Sequence, residues 1–528
     1  MPLIIAALGY HAIFIWKTSF LIGTVRYFSL FDDAMVSMRF ARNLTHGHGL
    51  VWNPGEPPVE GFSNPLWTLV MAAVHALPLP AHRMSLAIQA LGAIILVALM
   101  CVVHRLAGRL SEVGSPDATA GAQARGAPES VATPPPPRGL PFAATALTAF
   151  YYPLSYWTLQ GMEVGLLALV AAAAALMLLS RRSLVGMYLL LAVGTFVRLD
   201  FVVVLLAFAV AGAVLEPSRR TRHLIMGFAT ALLAPGIQTL ARGAYFHALL
   251  PNTYHLKLTG YPVGLRLTRG AWVLLETVMS SRGLLLLLPL AGIWLARGGS
   301  RLRLAALLLP ALAVCAYSVW VGGDAWEGTL SCNRYLAVAM PLLLVVAAWP
   351  LAGLAARLAG SGSRSKGLLA ALSLGAVLAI APCRTTVFLD PPPYVRENAE
   401  LTSRAVAARG LTLDGASVAA AAVGAVGYYS ERRIVDLLGK NDPHIARLPM
   451  RRGTAPNALT AFYPGHLKWD YAYSIGRLRP DVVAQLWWYP READSVLKRD
   501  YDMVDVVINE RRFSFAVRRG SPQVRWSE

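Results

Sequence analysis

Two adjacent carboxylates, Asp32 and Asp33, follow the first apolar run of this chain, and a third, Glu60, lies in the same polar stretch. Ionised groups at a bilayer edge are costly and mark function. Carboxylates gathered at one face can divide labour, one serving as general base and another binding substrate hydroxyls. Aspartate also suits the start of a helix, and one begins near Ala34, so one of the pair can cap while the other acts. Arg39 and Arg42 lie on that helix, where a guanidinium can neutralise a phosphate or anchor to lipid headgroups. His46 and His48 form a His-x-His pair in a polar turn. A metal needs at least a third ligand, which the nearby acids could supply; a solvated loop is the plainer reading. No cofactor is expected, and a divalent metal is left open. Trp52, Phe62 and Trp67 suit either a membrane interface or stacking on sugar faces.

Three further polar clusters separate apolar runs. Gln160-Gly161-Met162-Glu163 precedes one run, and Arg198-Leu199-Asp200 divides two. Pro251 to Lys257 supplies Asn252, His255 and Lys257, of which the last two suit an anionic head group. Gly322-Gly323-Asp324, with Glu327, Asn333, Arg334 and Tyr335, offers glycines for close approach of backbone to ligand and an arginine for phosphate. Together these name Arg39, Trp67, Glu163, Asn252, His255, Lys257, Asp324 and Arg334 as candidate binding residues around Asp32, Asp33 and Glu60.

The elements that must position these groups are membrane spans. Of 528 residues, 56% are hydrophobic and 15% charged, and apolar runs of about 18 residues or more recur. They fall near 3–25, 84–107, 140–153, 164–180, 184–197, 200–215, 223–246, 271–295, 304–321, 336–357 and 367–383. A shorter run at 64–79, bounded by prolines, reads as a re-entrant or interfacial helix. Arginines concentrate in alternate loops, at 105–138, 181–182, 219–222, 297–303 and 357–366, which the positive-inside rule makes cytoplasmic. About eleven spans follow, with the first outer loop (28–83), the acids and the C-terminus on the extracytoplasmic face. The net charge of +19 is thereby assigned to topology, and nucleic acid is excluded as a partner. The first run lacks a basic leader and a clear cleavage site, and reads as an uncleaved helix.

Residues 108–139, rich in Ala, Gly, Ser and Pro, read as a disordered cytoplasmic linker within a transmembrane domain of 1–384. From 385 to 528 the charge rises and strand-length runs appear at 416–422, 433–437, 481–487, 503–508 and 513–518, with helices near 396–409 and 468–478. That describes an α/β domain of about 140 residues. Gly424-Ala425-Val426-Gly427 after its first strand reads as a tight turn rather than a nucleotide loop. Four cysteines show no metal spacing; Cys101 and Cys315 suit core thiols, and Cys332 with Cys383 leaves a disulfide open.

This order of elements resembles the GT-C class of membrane glycosyltransferases. More closely, Asp32-Asp33 through Leu44, Gly47 to Leu50, Asn53 to Glu56 and Glu60 to Asn64 are similar to the mycobacterial cell-wall terminal β-(1→2)-arabinofuranosyltransferase family. Pro251-Asn252-Thr253, Gly322-Gly323-Asp324, Asp436 to Gly439 with Asn441-Asp442-Pro443, and Gly465 to Lys468 also look like that family. The resemblance implies a bacterial plasma-membrane enzyme that moves a sugar, arabinofuranose in that family, from a polyprenyl-phosphate donor to an envelope glycan. It implies inversion and an aspartate as general base, with Asp32 slightly favoured over Asp33. Other readings are a GT-C enzyme using mannose or another sugar, a transporter or flippase for a lipid-linked sugar, or a non-catalytic envelope subunit. The carboxylates cluster in one loop, and no repeat of halves is visible, which speaks against transport.

Overall fold

The computed structural model describes residues 2–112, 137–325, 333–360, 362–380, 391–451, 459, 462–487 and 489–526. Of the linker reading for 108–139, residues 113–136 lie outside these residues, as do Glu327, Cys332 and Cys383, while 108–112 continue the Ala81–Glu112 helix instead. The chain forms a multi-pass helical bundle with an α/β domain docked on it. Most apolar runs fall on single helices; the run at 140–153 is divided between Leu140–Ala149 and Tyr152–Leu159, and two others depart further. The first run ends early: Pro2–Lys17 is helical, and its β-branched and aromatic continuation forms a hairpin of β1 (Ser19–Ile22) and β2 (Val25–Phe28). The run at 271–295 is two helices, Val263–Ser280 and Leu284–Leu295, meeting at 77° where Gly283 adopts φ 75°.

Among the described residues, five helices are long and apolar enough to cross a membrane alone, and the bent pair makes a sixth. The other runs give helices of 10–17 residues, including Pro65–His75, so length alone does not reproduce the expected eleven. Arg334–Ala359 is the central post, its most apolar stretch 83% buried against 17–44% for the other four spans. Asn333 caps it, accepting from the backbone N–H groups of Tyr335 (2.8 Å) and Leu336 (3.1 Å), and so fixes where Arg334 leaves the first turn.

The C-terminal domain holds a five-stranded sheet in the order β4 (Arg433–Asp436), β3 (Ser417–Ala420), β5 (Val482–Val483), β7 (Arg511–Arg518) and β6 (Tyr501–Ile508). The first three are parallel; β7 and β6 run antiparallel. The helix expected near 468–478 narrows to a π-helical turn at Ala472–Arg477. One apolar core runs from the bundle into this domain through the Val395–Leu411 and Val423–Ser430 helices.

The tight turn expected at Gly424–Gly427 is instead the start of the Val423–Ser430 helix. Its glycines let it pack on the Asp32–Thr45 helix: a Cβ on Gly424 would collide with the carbonyl of Asp32. Gly424→Ala is therefore expected to destabilise the docked domain by about 1–3 kcal/mol, as overpacking does. Earlier proteolytic release of the domain and a lowered melting temperature would show it; an unchanged melting curve would refute this packing.

Candidate active site

A cavity of about 310 Å³ opens where several helix ends meet the first loop. Its wall includes Asp33, Glu60, Asn64, Glu163, Arg198, Asp200, Arg242, Tyr254, Lys257, Tyr317, Arg334, Tyr335 and Lys440. Apolar Leu199, Val202, Val203, Leu258 and Val321 line the same space, so one cavity offers charge to a head group and hydrocarbon to a tail.

Asp33 is the carboxylate at its centre. One oxygen accepts from Arg334 Nη1 at 2.8 Å, and the other forms a short ion pair with Lys440 Nζ. Burial pushes its carboxyl up, but Lys440, Arg334 and Lys257 outweigh this and hold it well below the usual carboxylate range. Arg334 also meets Asp324 Oδ2 through Nε at 3.1 Å. The turn of Gly322 (φ 88°) and Gly323 (φ 75°), gripped by Arg269 at the carbonyls of Gly322 and Asp324, presents that acid. Lys257 faces the cavity with no hydrogen bond or ion pair among the described residues. Burial, with Arg334 nearby, lowers it to about 8.

Lys440 escaped the sequence reading although it sits inside the Asp436–Pro443 block. Its loop is organised by the buried Asp436 carboxylate, which accepts from the N–H groups of Leu438 (3.0 Å), Gly439 (3.0 Å) and Asn441 (2.8 Å). From the other side, Asn252 Nδ2 donates to the carbonyls of Gly439 and Lys440, each at 2.9 Å. Burial raises Asp436 to about 6. Two limbs in the pH dependence of any activity here follow. Below about pH 6 Asp436 takes up a proton and the Lys440 loop loses its acceptor; above about pH 8 Lys257 loses its charge. A bell-shaped profile is expected, with Lys257→Arg moving only the alkaline limb and Asp436→Asn only the acid one. A profile flat from pH 5 to 9 would contradict both assignments.

Several expected site residues serve the scaffold instead. Asp32 turns from the cavity: its two oxygens accept from the N–H groups of Gly424 (3.1 Å) and Ala425 (2.9 Å), capping a helix of the other domain rather than its own. Arg39 lies outside this cavity, on the wall of a separate one with Arg42, His46 and Arg433; it donates to the carbonyls of Trp52 (2.8 Å), Arg432 (2.8 Å) and Gly427, and to Asn53 (2.9 Å). Buried carbonyls have consumed its donors. Trp67 is buried, with its indole N–H on the Gly161 carbonyl at 2.8 Å. Asn252 holds the Lys440 loop, and the ring of His255 packs edge-on to Tyr254 outside the cavity wall. Asp324 stands behind Arg334.

Glu60 and Glu163 do line the cavity, each answered by an arginine: Glu60 by Nε and Nη2 of Arg242, Glu163 by Arg198 at 3.0 Å and Asn64 at 2.8 Å. Arg198 also binds Asp200. Arg242 was missed as well; its one signal is a lone charge near the end of an apolar run.

This bundle, with its loop-borne carboxylate and docked α/β domain, has the GT-C fold of polytopic membrane glycosyltransferases. The structure is similar to that of ArnT from Cupriavidus metallidurans bound to undecaprenyl phosphate, at 12% identity and a TM-score of 0.55, covering 98% of this chain and 99% of that one. The apo state of that protein gives 12% and 0.49, covering 97% of each chain. An Archaeoglobus fulgidus oligosaccharyltransferase tethered with an acceptor peptide gives 12% and 0.48, covering 91% of this chain and 68% of that one. Residues 395–525 match a family model described as a domain of unknown function, DUF8728. No curated protein matches the chain.

Proposed function

We propose that this protein is a membrane glycosyltransferase that takes a sugar from a polyprenyl-phosphate donor and passes it to an envelope glycan hydroxyl. The observation that carries this reading is a single cavity in which one carboxylate, Asp33, pairs with Arg334 and Lys440, with Lys257 on the same wall, beside an apolar lining. ArnT, whose fold is shared, is a protein bound to undecaprenyl phosphate in its solved structure, which supports a lipid-phosphate donor here.

In the proposed reaction the acceptor oxygen attacks the anomeric carbon and its proton passes to Asp33. The bond from that carbon to the phosphate oxygen breaks, and the lipid phosphate leaves with the electron pair. Attack opposite the leaving group inverts the anomeric centre. The departing phosphate gains charge, which Arg334 and Lys257 stabilise without a general acid. Glu60 and Glu163, held by Arg242 and Arg198, take sugar hydroxyls in this reading. The arginine asymmetry of the loops supports an extracytoplasmic site in a bacterial plasma membrane. Arabinofuranose is the sugar that the residue resemblance favours.

Purified protein in detergent, offered polyprenyl-phosphate arabinofuranose and polyprenyl-phosphate mannose with an envelope glycan acceptor, should transfer the first and release lipid phosphate. Transfer of mannose alone would correct the sugar. Movement of the lipid-linked sugar across liposomes without any transfer would replace the reaction with transport.

A further inference from the structure

Lys440 belongs to the α/β domain, yet its ammonium ends on Asp33 of the first loop. A salt bridge between domains has a plain structural reading, a latch. Three observations go further. First, both oxygens of Asp33 are taken, one by Lys440 and one by Arg334, so no acceptor hydroxyl finds a lone pair free of a full positive charge. Second, the two cations differ in freedom. Arg334 is nearly enclosed, its side chain 5% exposed, and it keeps a second acid in Asp324. Lys440 is 18% exposed, has Asp33 as its only ion-pair partner among the described residues, and carries a point charge on a flexible stem. Third, the loop beneath Lys440 is fixed by Asp436 and Asn252, so the backbone is held while the flexible stem gives the ammonium reach within the cavity.

Resting on the glycosyltransferase reading above, we propose that Lys440 is a shared cation, neutralising Asp33 in the empty site and passing to the donor phosphate when the lipid-linked sugar binds. Asp33 is thereby released as a base only in the donor-loaded enzyme, and the donor binds before the acceptor. The phosphate wins the ammonium because the lipid tail holds it there, and because Asp33 keeps Arg334 as its counter-charge while the phosphate has no other fixed partner. After transfer the lipid phosphate carries more charge than the donor's diester, so it keeps Lys440 until it leaves. The domain that carries Lys440 then contributes a group to the reaction as well as a surface to the acceptor.

A hydrophobic carbodiimide tests this, because it modifies a carboxyl that can take a proton and spares one locked between cations. The full-length protein is labelled with and without a polyprenyl monophosphate, and Asp33 is quantified by mass spectrometry. Release predicts that the lipid phosphate raises labelling of Asp33 several-fold, against the ordinary expectation that a ligand shields its site. Lys440→Gln should label without lipid and bind the lipid phosphate about tenfold more weakly, the cost of one charge-assisted contact; Lys440→Arg should restore binding. Unchanged or reduced labelling of the wild-type protein, with lipid bound, overturns the shared cation and leaves the transferase reading standing. No binding of the lipid phosphate by the wild-type protein overturns both. The wild-type arm decides even where Lys440→Gln fails to fold.

Discussion

Asp33→Asn is expected to lower turnover by about 10²–10⁴-fold, the range that general base catalysis supplies. Asparagine keeps the size of the side chain and one acceptor oxygen but cannot take the proton of a sugar hydroxyl. Binding of polyprenyl phosphate should survive, since Arg334, Lys257 and Lys440 remain and have lost a competing anion. Asp32→Asn, one position earlier, should leave turnover within a few-fold. Its carboxylate binds two backbone N–H groups of the Val423–Ser430 helix, and asparagine also caps helices well. Rates of sugar transfer by the two purified variants check both statements together. A large loss for Asp32→Asn with near-normal rates for Asp33→Asn would reverse the assignment.

The second large effect belongs to Arg334. Its guanidinium stands between the buried Asp324 and the half-buried Asp33, at the head of the most enclosed of the five long spans among the described residues. Arg334→Met removes the cation and leaves two acids facing each other without it. Removing one partner of a buried pair costs about 3–5 kcal/mol, and here the loss falls on the helix around which the bundle packs. A strongly lowered melting temperature in detergent is expected, together with loss of transfer. Adding Asp324→Asn to Arg334→Met should recover part of the stability but none of the activity. A double variant no more stable than the single would show that Asp324 is not the acid Arg334 compensates.

Much of the fold could be read from residue patterns, because a bilayer demands long apolar runs and strands buried on both faces demand short ones. The five strands of the C-terminal domain lie close to their expected places for that reason. The division of labour between Asp32 and Asp33 could not be read in the same way. Neighbours on a helix point about 100° apart, so one faces the cavity and the other must face elsewhere, but what lies on each side comes from residues near 424 and 440. Arg39 shows the same limit. Its charge suggests phosphate, whereas its partners are backbone carbonyls at Trp52, Gly427 and Arg432, which no side-chain pattern announces. Glu60 and Glu163 were visible as acids, but Arg242 sits inside an apolar run, where charge reads first as an anchor, and Arg198 points in sequence to its near neighbour Asp200, which it does bind.

The pairing of Asp33 with Lys440 spans 407 residues of sequence, and that distance sets a clock on biogenesis. At the usual pace of synthesis, about 5–20 residues per second, roughly 20–80 s separate the appearance of the two partners. Throughout that interval the bundle is being threaded into lipid with an incomplete reaction centre. The hairpin of β1 and β2 reinforces the delay, because Gly23 and Leu21 bind Asn509, in the turn between β6 and β7. On the proposed function, a chain stalled or cut before its last domain lacks Lys440, one of the cations offered to the donor phosphate. Its site is then completed only by the last contact to form.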